Sequence, residues 1–306
     1  MFFEKGENVA RAVLLLAIFL TFAAPPAYGQ SKLCQNIEIA PSFIGPFKKA
    51  MRFEQRILEL ANFYGIDPDA ALAVMIYESG GNEGLVSSAG AEGLMQVMPS
   101  TARDIKNKYG ISDNLEAGMR YLKDLSRTFG GDMSLVIAAY NGGPGRVGRG
   151  EFRLETLQYL MGVSSYYHIL KRYKPCLRRA ISEYRLQFLT INNFNNSWEK
   201  LSASTRIPIL ELRMFNPFLS NRILKPGMVV VYPQKSTGID SDIVRHADPG
   251  VQTMLWYKIK LGDVYHHLAN VFGLSYAEFR RMNHLLYYSG VNYGTWVEIS
   301  GALHIK

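Results

Sequence analysis

Cysteine and histidine are scarce in this chain, and several common site patterns are missing. The sequence has 2 cysteines and 6 histidines in 306 residues, and no pair of histidines has the spacing of a metal site. A glycine-rich phosphate loop, a nucleophile elbow and a nucleic-acid-binding motif are also missing. We therefore predict no metal, no cofactor and no nucleic-acid partner. The histidines are His168, His246, His266, His267, His284 and His304.

The composition has no strong bias. A hydrophobic content of 48% and a charged content of 20% are typical of globular proteins, and 306 residues are enough for more than one domain. The formal net charge of +8 suits a polyanionic neighbour in the cell envelope. An ordinary solvated basic surface explains the same excess equally well.

The first residues have the pattern of a secretory signal. Lys5 and Arg11 precede an apolar run from Ala12 to Ala24, which is short for a membrane span. Small residues precede a cleavage point after Gly29, so we predict an exported protein of the periplasm or cell envelope with no stable membrane span after cleavage. An uncleaved anchor is the alternative.

Helical patterns dominate the chain up to Leu189, and strand patterns follow. The last helical patterns form two separate stretches, around Glu155 to Tyr167 and Leu177 to Tyr184. The order strand, helix, helix, strand then occurs twice, and Asn216 and Asn283 fall at equivalent places in the two copies. The predicted fold class is α+β. The predicted segments are a signal peptide (1–29), an all-helical domain (30–185), a first βααβ module (186–234), a linker (235–253) and a second βααβ module (254–306).

Glu78 ends an almost wholly apolar helix that begins after the cap Asp67 and contains Ala70 to Ser79. Such a helix is expected to be buried and central. A carboxyl group placed between hydrocarbon and the following glycine turn loses hydration, which raises its pKa toward neutrality. This is a property of a general acid. The alternative is a solvated glutamate at a helix end.

Three further clusters of residues accompany that of Glu78. The four clusters are Glu78-Ser79, Gly93-Leu94-Met95-Gln96, Ala139-Tyr140-Asn141-Gly142-Gly143, and Glu155-Thr156 with Tyr159. In this order and spacing they resemble the family 1 lytic transglycosylases, enzymes with a goose-lysozyme-like fold that cut peptidoglycan. The resemblance covers roughly residues 60 to 170. It implies that Glu78 is the catalytic acid and base, and that the surrounding groove is shaped by Ser79, Met95, Gln96, Tyr140, Asn141 and Tyr159.

The resemblance also bears on the number of catalytic carboxylates. A glycosidase usually employs two, and the candidates for a second are Glu83 and Glu92, both in a loop that is expected to be solvated. The family needs only one. The resemblance implies that the substrate's N-acetyl group stabilises the cationic centre and its own 6-hydroxyl attacks, which gives a 1,6-anhydro sugar without consuming water.

The two βααβ copies resemble LysM modules, which bind chains of N-acetylglucosamine. Asn195-Asn196 replaces the Gly-Asp expected in the first copy, and Tyr293-Gly294-Thr295 replaces the Pro-Gly expected in the second. The modules either bind glycan or act as spacers or protein-docking units.

Other predictions concern partners, rival functions and the cysteines. The predicted partner is the peptidoglycan glycan strand, with a protein of the envelope machinery as a further candidate, and the protein is expected to be a monomer. The rival functions are a muramidase-type hydrolase and a non-catalytic wall-binding scaffold. Cys34 and Cys176 are predicted to form a disulfide, with two unpaired buried thiols as the alternative.

Overall fold

The computed structural model describes residues 34, 37–238, 242–246, 254–283 and 293–300. The predicted signal peptide, 1–29, lies outside these residues. None of the helices in the described part of the chain is long and apolar enough to cross a membrane.

The chain divides into two compact units. The described part of the first, here called the helical unit, is Phe53–Ser79 with Glu83–Tyr173. The second, here called the mixed unit, takes in Lys32–Arg52, Gly80–Asn82 and Lys174–Lys306.

The described elements follow in chain order. The helices are α1 (Pro41–Ala50), α2 (Glu54–Tyr64), α3 (Pro68–Ser79), α4 (Pro99–Tyr109), α5 (Asn114–Thr128), α6 (Met133–Gly142), α7 (Pro144–Gly148), α8 (Leu154–Glu183), α9 (Trp198–Thr205), α10 (Ile209–Met214), α11 (Tyr265–Phe272) and α12 (Tyr276–Met282). The strands are β1 (Gln187–Thr190), β2 (Val229–Tyr232), β3 (Ile243–His246), β4 (Met254–Lys258) and β5 (Trp296–Glu298).

Helix α3 is the buried helix of the helical unit, as its apolar sequence predicts. Asp67 accepts a hydrogen bond from the backbone N–H of Asp69 (2.9 Å), and Pro68 occupies the first turn, where its missing donor costs nothing. The side chains from Ala70 to Ile76 are all buried. Helix α3 packs against α2, which also contacts α5, and α5 in turn contacts α6. The side chains of Asp113 and Asp132 cap α5 and α6 in the same way.

Helix α8 is continuous where the sequence predicts two separate stretches. It runs from Leu154 to Glu183 with Pro175 inside it. Proline removes one backbone donor and crowds the preceding turn. Buried apolar side chains occur on both sides of it, at Ile169 and Leu177, and their burial offsets that local cost.

The mixed unit contains both predicted strand-helix-helix-strand orders. In the first, β1 pairs antiparallel with β2, with Gln187 opposite Tyr232 and Thr190 opposite Val229. In the second, β4 pairs antiparallel with β5, with Trp256 opposite Glu298.

Two asparagines join helix to strand in the same manner in both copies. The Asn216 amide donates to the carbonyl groups of Leu212 and Val231 (2.7 Å each) and accepts from the N–H of Val231 (2.9 Å). Asn283 donates to Phe279 (2.9 Å) and Glu298 (3.0 Å) and accepts from the N–H of Glu298 (2.8 Å). The two residues are thus structurally equivalent, as their positions in the sequence predict.

Strand β3 lies within 235–253, the segment that the sequence analysis treats as a linker. It pairs antiparallel with β4, with Ile243 opposite Tyr257, and extends the second sheet to three strands. Adjacent β-branched residues, Ile243 and Val244, favour this conformation within an otherwise polar segment.

Cys34 and Cys176 form a disulfide within the mixed unit. The bridge joins residues 142 positions apart, and both cysteines are buried. It ties the first described residue to α8.

Candidate active site

The site is built around Glu78 at the end of α3. The residue is partly exposed, but its carboxyl group is surrounded by protein. The hydroxyl of Tyr159 donates a hydrogen bond of 2.6 Å to its Oε1 atom. Tyr159 comes from α8 and is itself buried. A carboxyl group held between an apolar helix and a buried phenol has little access to water.

Burial controls the protonation of this carboxyl group. Loss of hydration raises the pKa of Glu78 to about 8, while the hydrogen bond from Tyr159 favours the carboxylate and opposes this rise. Glu78 is therefore largely protonated at neutral pH. The direction agrees with the expectation from the apolar helix.

Tyr77 packs against Tyr159 and Gly162 makes room for Tyr77, and neither residue is among the site residues predicted from the sequence. The ring of Tyr77 meets that of Tyr159 edge to face at 5.2 Å, and that of Tyr166 at 5.6 Å. A Cβ atom at Gly162 would lie 2.1 Å from the Tyr77 ring, so only glycine admits that ring. The signal in the sequence is a glycine in the interior of a helix, where it is otherwise unfavourable.

Tyr140 lies close to Glu78 and anchors the loop before α4. Its hydroxyl donates to the carbonyl of Met95 (2.8 Å). Burial raises the pKa of Tyr140 well above its usual value, and the charge of an ionised Glu78 raises it further. The Tyr121 ring packs on it at 5.2 Å. Tyr140 is thus neutral and is a fixed neighbour of the carboxyl group.

Gln96 shapes its own loop. Its amide nitrogen donates to the carbonyl groups of Leu85 and Gly93 (2.9 Å each), and its backbone has a φ of 45°, in the left-handed region. Asn114, which the sequence analysis does not name, donates to the carbonyl of Glu92 (2.9 Å) and accepts from the N–H of Met95 (3.0 Å). The amide groups of Gln96 and Asn114 tie together the backbone of this loop.

Asn141 is oriented by Thr156. The Thr156 hydroxyl donates to Oδ1 of Asn141 (3.1 Å), and a Cβ atom at Gly142 would lie 2.9 Å from the Thr156 side chain. Among the described residues no acceptor binds the Asn141 amide nitrogen. The residue is exposed, so this N–H group can donate to a ligand.

Ser79 and Met95, which are expected to shape the groove around Glu78, have buried side chains. Both are 0% exposed. The Ser79 hydroxyl donates to the Met75 carbonyl one turn earlier (3.2 Å), and the Met95 side chain packs beside Gly118. The Ser79 side chain thus bonds back to its own helix, and α5 presents a glycine to the Met95 side chain.

A cavity of about 470 Å³ opens next to Tyr140. It is lined by Gln96, Val97, Met98, Ser100, Thr101, Tyr121, Tyr140, Asn141, Gly142, Gly143, Gly145, Arg146 and Arg149. None of these lining residues is acidic. Glu83 and Glu92, the candidates for a second catalytic carboxylate, are exposed residues of the loop after α3 and are not among them.

No group of three or more metal-ligating side chains occurs among the described residues. The protonated Glu78 can donate a proton and, once ionised, accept one. Tyr159 and Tyr140 are its neighbours, and Asn141 and Gln96 line the same cavity as Tyr140.

The first prediction concerns the titration of Glu78. We expect Glu78 to titrate near pH 8 and the Tyr159→Phe variant to titrate at higher pH, because the lost hydroxyl stabilises the carboxylate. NMR of carboxyl-labelled glutamate measures both values. Tyr121→Phe is the matched control and leaves the titration unchanged. An ordinary glutamate pKa in the wild type would contradict the burial argument.

Comparison with known proteins agrees with the geometry. Residues 55–155 match the family model of the Transglycosylase SLT domain. Membrane-bound lytic murein transglycosylase C of Edwardsiella ictaluri is 34% identical over 132 residues, which are 37% of this chain and 36% of that protein. Soluble lytic murein transglycosylase of Salmonella typhimurium is 36% identical over 94 residues, 27% of this chain and 15% of that protein.

One similar solved structure is that of the 70 kDa soluble lytic transglycosylase from Escherichia coli. The two sequences are 27% identical, the TM-score is 0.29, and the match covers 40% of this chain and 24% of that chain. The chain spans about a third of the length of the first relative and less of the second. Residues 55–155, with Glu78, Gln96 and Tyr140 among them, form a transglycosylase SLT domain.

Proposed function

We propose that the protein is a peptidoglycan lytic transglycosylase that cleaves the β-1,4 bond between N-acetylmuramic acid and N-acetylglucosamine. One observation carries the proposal. Glu78 has a buried, protonated carboxyl group with Tyr159 as hydrogen-bond partner, and the cavity lined by its neighbour Tyr140 has no carboxylate in its lining. The SLT domain and relatives named lytic murein transglycosylases support it.

The proposed reaction uses Glu78 twice. Its carboxyl proton passes to the glycosidic oxygen as the bond from that oxygen to the muramic acid C1 breaks. The N-acetyl group of the muramic acid stabilises the positive charge at C1. The Glu78 carboxylate then takes the proton of the same sugar's 6-hydroxyl, whose oxygen bonds to C1. A 1,6-anhydro sugar results, no water is consumed, and Glu78 regains its proton.

The neighbouring groups have positioning and binding roles in this proposal. Tyr159 holds the carboxyl oxygen and stabilises the anion formed in the first step. Asn141 offers its amide N–H to the acetamido oxygen, with Thr156 fixing its orientation. Gln96 and Tyr140 keep the loop of Met95 in place beside the reacting bond.

The location and the C-terminal copies complete the proposal. We infer an exported protein that acts in the periplasm or envelope as a monomer. The two βααβ copies of the mixed unit are proposed to be LysM-like modules that bind glycan. Their shared asparagine contacts support a common fold. Phe194, 87% exposed after β1, offers an aromatic surface to a sugar face.

The product analysis tests the proposal. Purified residues 30–306 are incubated with peptidoglycan sacculi, and the released fragments are identified by mass spectrometry. We expect muramic acid ends in the 1,6-anhydro form. Ends that carry an added water would instead show a muramidase-type hydrolase. An absence of new ends would favour the non-catalytic scaffold.

A further inference from the structure

The cavity beside Tyr140 carries positive charge that the proposed reaction does not use. Arg146 and Arg149 both line it, and the lining contains no acidic residue. A neutral glycan backbone has no need of two guanidinium groups. Tyr140 and Asn141 line the same cavity. We therefore expect the substrate to place an anionic group beside the two arginines.

Arg149 is held in a defined orientation. Its Nε and Nη2 atoms donate to Oε1 and Oε2 of Glu151 (2.8 and 3.0 Å), a paired geometry that fixes the guanidinium plane. Its Nη1 atom lies 3.8 Å from the Cβ position of Gly145, another lining residue. Among the described residues, Nη1 has no acceptor. One edge of Arg149 is therefore free to bind a ligand.

The backbone carbonyl of Arg146 accepts from the N–H groups of Arg149 and Glu151 (3.0 Å each), but its guanidinium group has no hydrogen-bond or ion-pair partner among the described residues. The nearby Glu151, whose pKa is lowered first by Arg149 and also by Arg146, is already engaged with Arg149. The three groups together retain one net positive charge. An added carboxylate would restore neutrality.

Hydroxyl groups accompany the two arginines. Ser100, Thr101 and Tyr121 contribute to the same cavity. Guanidinium and hydroxyl donors together suit the two oxygens of a carboxylate, and arginine pairs with this group in two-pronged geometry. Met98, 42% exposed, adds an apolar wall suited to an aliphatic side chain or a peptide backbone.

We propose that Arg146 and Arg149 bind a carboxylate of the peptide carried by the muramic acid, so that the protein prefers strands whose peptides are anionic. This inference rests on the proposed function, since the strand must first pass Glu78. The volume of about 470 Å³ accommodates part of a short peptide.

Two matched substrates test the inference. Both are peptide-bearing strands with acetylated peptide amines, and in one of them the peptide carboxylates have been converted to carboxamides. We expect the wild type to have the higher kcat/KM on the carboxylate strands. The double variant Arg146→Gln with Arg149→Gln should lose about tenfold or more on these strands and much less on the amidated ones.

Arg103→Gln is the matched control, because Arg103 is exposed on α4 and does not line the cavity. It should retain the wild-type preference. An equal loss on both substrates in the double variant, or an unchanged preference, would overturn the inference.

A binding measurement separates this inference from the proposed function. If the wild type cuts neither substrate, the proposed function fails, and calorimetry with the free peptide, its amine acetylated, decides the inference alone. Binding by the wild type that is weakened about tenfold in the double variant, and also by amidation of the peptide, supports it. No binding, or binding that is indifferent to either change, overturns it.

Discussion

The Glu78→Gln variant is expected to release fragments from sacculi about 10³-fold more slowly than the wild type. Glutamine matches glutamate in size and accepts a hydrogen bond from Tyr159, but it has no acidic proton to donate. It also cannot become the base that takes up the proton of the 6-hydroxyl. Because one residue performs both steps and the cavity lined by the neighbouring Tyr140 holds no carboxylate, no group there can replace it. Rates are measured from the 1,6-anhydro ends formed with time.

Glu83→Gln is the matched control for this substitution. Glu83 is exposed in the loop after α3, and its loss should leave the rate within about twofold of the wild type. A large loss of rate in Glu83→Gln, together with an unchanged rate in Glu78→Gln, would show that Glu78 is not the catalytic acid.

The raised pKa of Glu78 makes the stability of the wild-type protein depend on pH. Folded wild-type protein keeps the Glu78 proton up to about pH 8, whereas the unfolded chain loses it near the usual value of 4.5. The stabilisation from this group is complete below pH 4.5 and is lost as the pH rises toward 8. Glu78→Gln has no such loss. Its free energy of unfolding, compared with that of the wild type, should therefore rise between these limits in urea titrations.

Replacing both Cys34 and Cys176 by serine is expected to lower the free energy of unfolding by about 4 to 5 kcal/mol. The disulfide closes a span of 142 residues, and without it the unfolded chain gains the conformations that the cross-link forbids. The folded protein also loses two buried sulfur atoms. Urea denaturation of residues 30–306 measures the change.

A reducing agent provides the control for the disulfide. Dithiothreitol should destabilise the wild type by a similar amount and leave the double serine variant unchanged. Equal stability of the wild type with and without the reductant would show that the cross-link contributes little.

Local patterns in the sequence are sufficient to predict much of the fold. The apolar run before Glu78 predicts a buried helix because a helix without a polar face cannot lie at the surface. Asp67 with Pro68 predicts its beginning, since both residues act within one turn. Asn216 and Asn283 show the repeat because the side-chain amide of each bonds to its own helix and to the strand that follows.

The contacts of the site depend on residues far apart in the chain. Tyr159 reaches Glu78 across 81 positions, and Gly162 makes room for Tyr77. Ser79 and Met95 lie in the interior although their sequence context suggests the groove. Hydrophobic period and capping describe a single helix, whereas the direction in which a side chain meets its partner is set by how separate helices pack. That packing gives Glu78 its partner and its pKa.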